Sequence, residues 1–331
     1  MESIITPFTL SVDWLAFTVP HAFAYEVMDA VQGEWAQSSV GFRGYPDCWM
    51  TTDGFRGVGK MGTGAPRSPR EVHVDLSGGI VSAWEIPHLQ AVLAWVIAMK
   101  GHFTRIDCAL DDRAASVPVS QIQAAIDAGQ MVTRATNVDT HASSSADTGE
   151  SRGTALYIGS PASQTRLRIY DKRLELQQKH RPNWADFGTR WELEFRKDRA
   201  DACARRLAES DPLLWQELVV GLLRSHLDFR ETTRDHDSAA RCRAPLVAWW
   251  EQLTCGFQKA RLTVEKRERT LDEVKEWFKQ SVGPTLAVLY VIPGLGLPWI
   301  EEVVNSGADR WKKKHHLLLK GTWRKPAQNE E

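Results

Sequence analysis

The residues best suited to chemistry lie in the run Arg166–Lys172, where a tyrosine stands among basic residues. Side chains alternate between the two faces of a β-strand, so Leu167 and Ile169 share one face and Tyr170 lies on the other. A phenol has a pKa of about 10 and is a poor nucleophile at neutral pH. Neighbouring cations stabilise its phenolate and can also hold a phosphate, so the pattern predicts a tyrosine that attacks a DNA phosphodiester. The basic residues on the tyrosine face are Arg166, Arg168 and Lys172.

A hairpin is predicted just before this run. The segment Pro161–Ser163 is rich in turn-forming residues and separates two β-rich segments. Tyr157, on the first strand of the hairpin, is the other candidate nucleophile. Its chain neighbours, Leu156 and Ile158, are both apolar. We therefore predict a structural role for Tyr157 and assign the nucleophile to Tyr170.

Two further segments alternate charged with apolar residues in the way that predicts a strand. If all three strands are neighbours in one sheet, their charged faces form a single surface. A water-exposed sheet face explains one such strand. Three strands that combine a tyrosine with candidate metal carboxylates strengthen the case for a functional site, but alternation alone leaves both interpretations open. The charged residues are Arg105, Asp107 and Asp111 in the first segment, and Arg190, Glu192, Glu194 and Arg196 in the second.

Acidic and basic residues on one surface suit phosphoryl-transfer chemistry. Carboxylates supply the oxygen ligands that Mg²⁺ and Mn²⁺ prefer, and such a cation would polarise and position a scissile phosphate. Arginine side chains would hold the flanking phosphates and offset the charge that develops in the transition state. The tyrosine would form a covalent phosphotyrosine.

The order of elements predicts an α+β fold. Over residues 1–200, strands alternate with helices and hairpins, which favours a mostly antiparallel central sheet with flanking helices. After Lys197, helix-spaced apolar residues dominate. We therefore expect a chemistry-bearing domain at residues 1–200 and a helical region at 201–331. The charged segment Arg230–Arg243 is predicted to be a linker or an exposed loop.

Composition sets further limits on the class of protein. The chain has 331 residues, of which 43% are hydrophobic and 25% are charged, and its net charge is -1. Nucleic-acid binding is not excluded, because Arg310–Lys325 contains seven Lys/Arg and no Asp/Glu. The five cysteines form no C-x-x-C pair, which argues against a zinc ribbon and favours a reducing cytoplasm. We expect neither a signal peptide nor a membrane span.

Four stretches of the sequence resemble the rolling-circle replication initiators of plasmids and filamentous phages, the Rep-trans family, which is related to conjugative relaxases. The resemblance covers roughly residues 9–200. Its most specific part is the hairpin TALYIGSPASQTRLRIYDKRLE with the later RWELEFR. The other stretches are SVDWLAFTV, REVHVDLSGG and TRIDCALDD, the last of which is similar to the motif R-[IV]-D-x-A-x-D.

The resemblance implies an origin-specific DNA-nicking and strand-transfer enzyme that uses Mg²⁺ or Mn²⁺. Tyr170 matches the family's nucleophile in R-[IV]-Y-[DE]-K, with Arg168 and Lys172 beside it as catalytic residues. The R-x-E spacing favours Glu192 over Glu194 as an acidic site residue. The chain lacks the H-x-H motif of HUH nucleases, so carboxylates would hold the metal. The implied metal ligands are Asp107, Asp111 and Glu192, and the implied DNA- or phosphate-binding residues are Arg105, Arg166, Arg190 and Arg196.

The implied reaction fixes the expected partners. The protein would bind its replication origin and help to expose a single-stranded nick site, where the tyrosine leaves a 5′-phosphotyrosine and a free 3′-OH. Host polymerase would extend that 3′ end, and a host helicase is a further implied partner. Residues 1–200 would form the nicking domain. Two roles stand for residues 201–331, namely recognition of duplex DNA and formation of a homodimer.

Two alternatives to a replication initiator remain open. A conjugative relaxase would use the same chemistry at a different DNA site. A non-catalytic regulator on the same scaffold would bind DNA and would form no covalent adduct.

Overall fold

The chain divides into two compact units, Met1–Val264 and Glu265–Glu331. The computed structural model describes residues 7–52, 58–66, 68–264, 271–292, 296–312, 315–316 and 318. The first unit extends well beyond residue 200, where we expected the nicking domain to end. The basic segment Arg310–Lys325 lies largely outside the described residues.

Ten strands form one antiparallel sheet, and two short strands form a separate pair. The order across the large sheet is β2-β3-β4-β5-β1-β6-β11-β10-β9-β8, and β12 pairs with β7. The strands are β1 (Phe8–Val19), β2 (Trp35–Ser38), β3 (Asp47–Thr51), β4 (Gly59–Thr63), β5 (Val72–Ser77), β6 (His102–Asp112), β7 (Met131–Thr133), β8 (Val138–Ser144), β9 (Ser151–Ile158), β10 (Thr165–Asp171), β11 (Thr189–Arg196) and β12 (Leu227–Phe229).

Helices connect the strands and form the C-terminal part of the described chain. The helices of the first unit are α1 (Ala24–Val31), α2 (Gly78–Val81), α3 (Ile86–Ala98), α4 (Val119–Asp127), α5 (Lys172–Gln178), α6 (Asp198–Glu209), α7 (Trp215–His226), α8 (Ser238–Arg243) and α9 (Ala248–Leu253). The second unit contains α10 (Leu271–Ser281), α11 (Gly283–Val291) and α12 (Gly296–Ala308). The α+β prediction, with a mostly antiparallel central sheet and flanking helices, is confirmed.

The two faces of the large sheet differ in chemistry. One face is apolar: Ile106 on β6, Ile169 on β10 and Trp191 on β11 are fully buried. The helices α3, α6 and α7 supply the opposing layer of this core, and α6 packs directly on β6. Burial of each such side chain contributes roughly 1.5–3 kcal/mol. The opposite face, here called the polar face, carries the predicted charged residues of β6, β10 and β11.

Two regions differ from the sequence-based expectation. The segment 134–152, whose Ser-, Thr- and Asp-rich sequence is typical of a mobile loop, contains β8, which pairs with β9 along its length. Its serine- and threonine-rich sequence is compatible with a strand because β8 is at the edge of the sheet, where most of its side chains are exposed. The predicted linker Arg230–Arg243 contains α8, which begins at the capping residue Asp237.

None of the described helices combines the length and the apolar character that a membrane span requires.

Candidate active site

The structure places the three predicted charged strands side by side. β11 lies between β6 and β10 and pairs antiparallel with both. Arg190 on β11 is opposite Asp111 on β6 and Tyr170 on β10. Their charged faces therefore form one surface, as expected from their alternation.

Tyr170 is buried on this surface, with 5% of its area exposed. Its hydroxyl donates a hydrogen bond to Oε2 of Glu192 at 3.2 Å. Burial raises the pKa of Tyr170 above its ordinary value, and the charge of Glu192 adds to this effect, while Arg190 and Arg168 oppose it. The cations thus favour the phenolate, as expected, but burial and the charge of Glu192 outweigh them. They lie over the ring, with Arg168 Cζ at 4.1 Å and Lys172 Nζ at 5.7 Å from its centroid, and the carboxylate holds the hydroxyl.

Glu192 is suited to exchange a proton with this hydroxyl. It is 8% exposed. Burial raises its pKa and the charge of Asp13 adds to the rise, whereas Arg168 and Arg190 lower it. A carboxyl whose pKa is raised towards neutrality is a stronger base than an exposed one. Geometry and chemistry together make Glu192 a candidate general base for Tyr170.

Arg190 links two aspartates on neighbouring strands. Its Nε and Nη2 donate to the two carboxylate oxygens of Asp111 at 2.7 and 2.8 Å, and its Nη1 donates to Asp13 at 3.0 Å. Asp13 was not among the predicted site residues. It lies where the register of β1 against β6 shifts between Val12 and Trp14, as in a β-bulge. The signal in the sequence was an aspartate inside an otherwise apolar strand, SVDWLAFTV.

A second arginine–aspartate pair with two hydrogen bonds, between Arg105 and Asp107, lies on the polar face. The Arg105 Nε and Nη2 atoms donate to Asp107 at 3.0 and 2.6 Å, and Nη2 also lies 3.1 Å from Glu194. Burial nevertheless raises the pKa of Asp107 to about 7, against the effect of Arg105, and the charges of Glu192 and Glu194 add to the rise. The predicted phosphate-binding residues Arg105 and Arg190 are thus both committed to aspartates.

The remaining predicted basic residues divide into two groups. Lys172 lies 2.7 Å from Glu175, and Arg196 lies 2.6 Å from Glu194. Arg166 and Arg168, by contrast, make no ion pair with any of the described residues. These two guanidinium groups are therefore the ones available for an external anion.

The carboxylates suit a hard cation by chemistry, but the structure does not bring the predicted set of three together. Asp111 is held on both oxygens by Arg190. Within the described part of the chain, no three Asp, Glu, His or Cys side chains converge as a metal-binding group. Asp107 and Glu192 fit better, because the charge of Glu192 contributes to the raised pKa of Asp107 and a cation beside both would relieve that repulsion. The ligand role of all three residues stays a prediction.

Comparison of this chain with known families identifies the class of protein to which the fold and the polar face belong. The sequence model of the replication initiation factor family, Rep_trans, matches residues 101–304, which is more than half of the chain. The protein therefore belongs to the replication initiation factor family, as the resemblance implied.

Individual relatives agree with this assignment. A protein of Bacillus subtilis (strain 168) named "Putative DNA relaxase NicK" is 23% identical over 222 residues, which are 64% of this chain and 60% of the relative. The chain thus matches only about three fifths of that relative's length. The structure of a rolling circle replication initiator protein from Geobacillus stearothermophilus superposes with a TM-score of 0.64 and 20% identity, over 78% of this chain and 99% of that one. This similarity shows that the two chains share a fold.

Proposed function

We propose that this protein nicks one strand of a replication origin and transfers it by transesterification, with Tyr170 as the nucleophile. One observation carries the proposal: the Tyr170 hydroxyl lies 3.2 Å from the Glu192 carboxylate on a buried charged surface, in a chain of the replication initiation factor family. A buried tyrosine hydrogen bonded to a carboxylate has the arrangement of an activated nucleophile.

The reaction balances without a nucleotide cofactor. The Tyr170 Oη atom attacks the scissile phosphorus, the bond from phosphorus to the 3′ oxygen breaks, the phenolic proton passes to Glu192, and the leaving 3′ oxygen takes a proton from solvent. The products are a 5′-phosphotyrosine and a DNA strand with a free 3′-OH. In the closing step a 3′-OH attacks the phosphotyrosine and gives up its proton to solvent, while Tyr170 leaves and takes a proton back from Glu192. The phosphodiester energy is conserved because each bond broken is replaced by another ester.

The charged neighbours have separate roles in this proposal. Arg168, over the ring of Tyr170, stabilises negative charge on the phenolate and on the attacked phosphate. Arg190 holds Asp13 and Asp111 in place beside Glu192. Asp107 and the second carboxylate oxygen of Glu192 would hold a divalent cation, Mg²⁺ or Mn²⁺, which when bound polarises the phosphate. Origin DNA is the proposed substrate, with host polymerase and helicase acting on the products.

A plasmid assay with three proteins tests the proposal. Wild-type protein, Tyr170→Phe and the control Tyr25→Phe are each mixed with supercoiled plasmid carrying the gene and its flanking DNA, with Mg²⁺ or with Mn²⁺. Tyr25 is a suitable control because it is 66% exposed on α1, outside the polar face. Denaturing gels then separate free DNA from nicked circles that carry covalent protein.

We expect nicked circles with attached protein for wild type and Tyr25→Phe, and none for Tyr170→Phe. EDTA should abolish the product. Nicking that survives in Tyr170→Phe would assign the nucleophile to another group, with Tyr157 first to be examined. Binding of origin DNA without any nicking by wild type would favour the non-catalytic regulator.

A conjugative relaxase is the second candidate, because the Bacillus relative is named as a DNA relaxase. The chemistry would be the same, and only the DNA site differs. Mapping the 5′ end that carries the protein distinguishes the two: a nick in the replication origin supports the initiator, and a nick in a transfer origin supports the relaxase.

A further inference from the structure

Two arginines on β10 face glutamates that are already engaged. In the pairing of β10 with β11, Arg166 lies opposite Glu194 and Arg168 lies opposite Glu192. Such cross-strand pairs ordinarily bind each other. Here Glu194 forms ion pairs with Arg105 and Arg196 instead, and Glu192 accepts a hydrogen bond from the hydroxyl of Tyr170.

The two guanidinium groups turn instead towards Tyr157 on β9. The Arg166 Cζ atom lies 4.2 Å from the centroid of the Tyr157 ring, and that of Arg168 lies 5.8 Å from it. Arg168 also covers the ring of Tyr170 at 4.1 Å. Aromatic and cationic groups thus lie against one another in a single cluster, here called the ladder, which consists of Tyr170, Arg168, Tyr157 and Arg166.

The ladder has unused binding capacity. The Nε atoms of Arg166 and Arg168 are buried and have no hydrogen-bond acceptor among the described residues. A buried donor without a partner is unfavourable, and neither arginine has an ion pair within the described chain to offset this cost. Elsewhere on the polar face, Arg105 and Arg190 are each bound to an aspartate.

Tyr157 was predicted to have a structural role because its neighbours in the chain are apolar. Leu156 and Ile158 point into the core and are fully buried, whereas Tyr157 lies on the polar face and is only partly buried. Its ring contacts the edge of His141 on β8, with centroids 5.1 Å apart at 80°. Proteins that bind single-stranded DNA use aromatic rings set among cations, because bases stack on the rings and phosphates bind the cations.

We propose that the ladder is the track for the DNA strand next to the scissile phosphate, with Arg166 and Arg168 binding successive phosphates and Tyr157 stacking on a base. This inference rests on the proposed nicking function and extends it, because it assigns the position of the strand. Tyr157 is then a substrate-binding residue that sets the strand in register with Tyr170.

The test measures binding of two labelled single strands by the full-length protein in EDTA, so that no cleavage occurs. One probe is an oligothymidylate, and the other is an abasic strand of the same length. Four variants are compared with wild type: Tyr157→Phe, Tyr157→Leu, Arg166→Gln and the control Arg205→Gln. Arg205 is a matched control because it lies on α6, away from the polar face, and is already paired with Asp201. Thermal unfolding verifies that each variant is folded.

Tyr157→Leu should bind the oligothymidylate about 10–100-fold more weakly than wild type, since one stacked base contributes about 1–3 kcal/mol. It should bind the abasic strand as wild type does, while Tyr157→Phe should match wild type on both probes.

Arg166→Gln should reduce the salt slope of log affinity by about 0.7, the value for one phosphate on a single strand. Arg205→Gln should change neither quantity. In the nicking assay, Tyr157→Leu should raise KM.

Three results would contradict the proposal that the ladder binds the DNA strand. They are wild-type affinity in Tyr157→Leu, an equal loss of its affinity for both probes, and an unchanged salt slope in Arg166→Gln. These outcomes are independent of the plasmid assay. If wild type forms no covalent adduct on plasmid DNA but the variants bind as expected, the nicking proposal fails and the strand track stands.

Discussion

Two buried clusters of charged residues, one around Asp228 and one around Glu192, shift the pKa of their carboxylates in opposite directions. Asp228 on β12 is fully buried and accepts Arg224 Nε at 3.0 Å, Arg230 Nη2 at 2.9 Å and Lys259 Nζ at 3.0 Å. The indole of Trp250 donates a further bond at 2.9 Å. Burial alone would raise the pKa of Asp228, but these bonds outweigh it and lower the pKa.

Glu192 is nearly as buried, yet its environment works in the opposite direction. Its hydrogen-bond partner is the neutral hydroxyl of Tyr170, and its pKa is raised by burial and by the nearby Asp13. One cluster satisfies its charge completely and the other leaves it partly unsatisfied. The contrast indicates that Asp228 stabilises the fold, whereas Glu192 is kept reactive at a cost in stability.

The largest expected effect is on catalysis. Glu192→Gln keeps the shape of the side chain and its ability to accept the Tyr170 hydroxyl, but it cannot take the proton. We expect the rate of covalent adduct formation to fall by about 10²–10⁴-fold, measured by single-turnover kinetics. The free energy of unfolding should stay the same or increase, because a poorly compensated charge is removed. A variant that nicks at the wild-type rate would show that Glu192 is not the base.

At Asp228 we expect a loss of stability and little change in the nicking rate. Asp228→Asn leaves three cations around a neutral amide, and breaking a buried ion pair in this way costs about 3–5 kcal/mol. Urea unfolding should show this loss, while the nicking rate per folded molecule stays close to wild type. Asp272→Asn is the control, since that carboxylate is 91% exposed and should be replaceable without measurable change. Equal stability of the two variants would contradict the structural role of Asp228.

The dependence of stability on pH should separate the two kinds of carboxylate. The pKa of Asp107 is raised from 3.8 to about 7 in the folded protein, so the folded state binds more protons than the unfolded state between these values. The contribution of Asp107 to stability therefore falls as pH rises through this window. Each pKa unit corresponds to about 1.4 kcal/mol, so the free energy of unfolding of wild type minus that of Asp107→Asn should fall by a few kcal/mol.

Asp228 should give the opposite slope. Because its pKa is lowered, its contribution is present above the unfolded value of 3.8 and is lost as pH falls through the folded value. The comparison requires unfolding free energies of wild type, Asp107→Asn and Asp228→Asn across the acid and neutral range. Slopes of the same sign for the two residues would contradict the distinction drawn between the clusters.

The smallest effect is expected at an exposed ion pair. Lys172 and Lys179 both bind Glu175, and their hydrogen bonds outweigh burial and lower its pKa to about 2. Lys179 is 61% exposed and Glu175 keeps its bond to Lys172, so Lys179→Gln should cost at most about 0.5 kcal/mol. A larger loss in urea unfolding would mean that exposed charges matter more here than the buried clusters suggest.

Alternation along strands accounts for most of what the sequence predicted correctly. It assigned the faces of β6, β10 and β11, because side chains of an antiparallel strand have a period of two and one face must be apolar. Alternation alone cannot supply the pairing register between distant strands. For that reason it did not reveal that Arg190 lies opposite Asp111 and is neutralised by it.

Two further residues escaped the sequence analysis for local reasons. Tyr157 was predicted to have a structural role from its neighbours in the chain, although those neighbours face the other side of β9. Asp13 was hidden because a bulge interrupts the period of β1. Burial of Tyr170 also reversed the expected balance of charges, since the number of nearby cations does not measure desolvation.

Because of the bulge at Asp13, the face on which each β1 residue lies depends on the number of residues in the strand as well as on their types. Before it, the core-facing residues fall on even positions, Phe8 and Val12; after it they fall on odd positions, Leu15 and Phe17. Deletion of Asp13 would therefore force one half of the strand to exchange its core and polar sides. A substitution at this position would affect one side chain, whereas a one-residue deletion would invert the pattern of half a central strand. Alignments of related chains should accordingly show amino-acid changes here and no gaps.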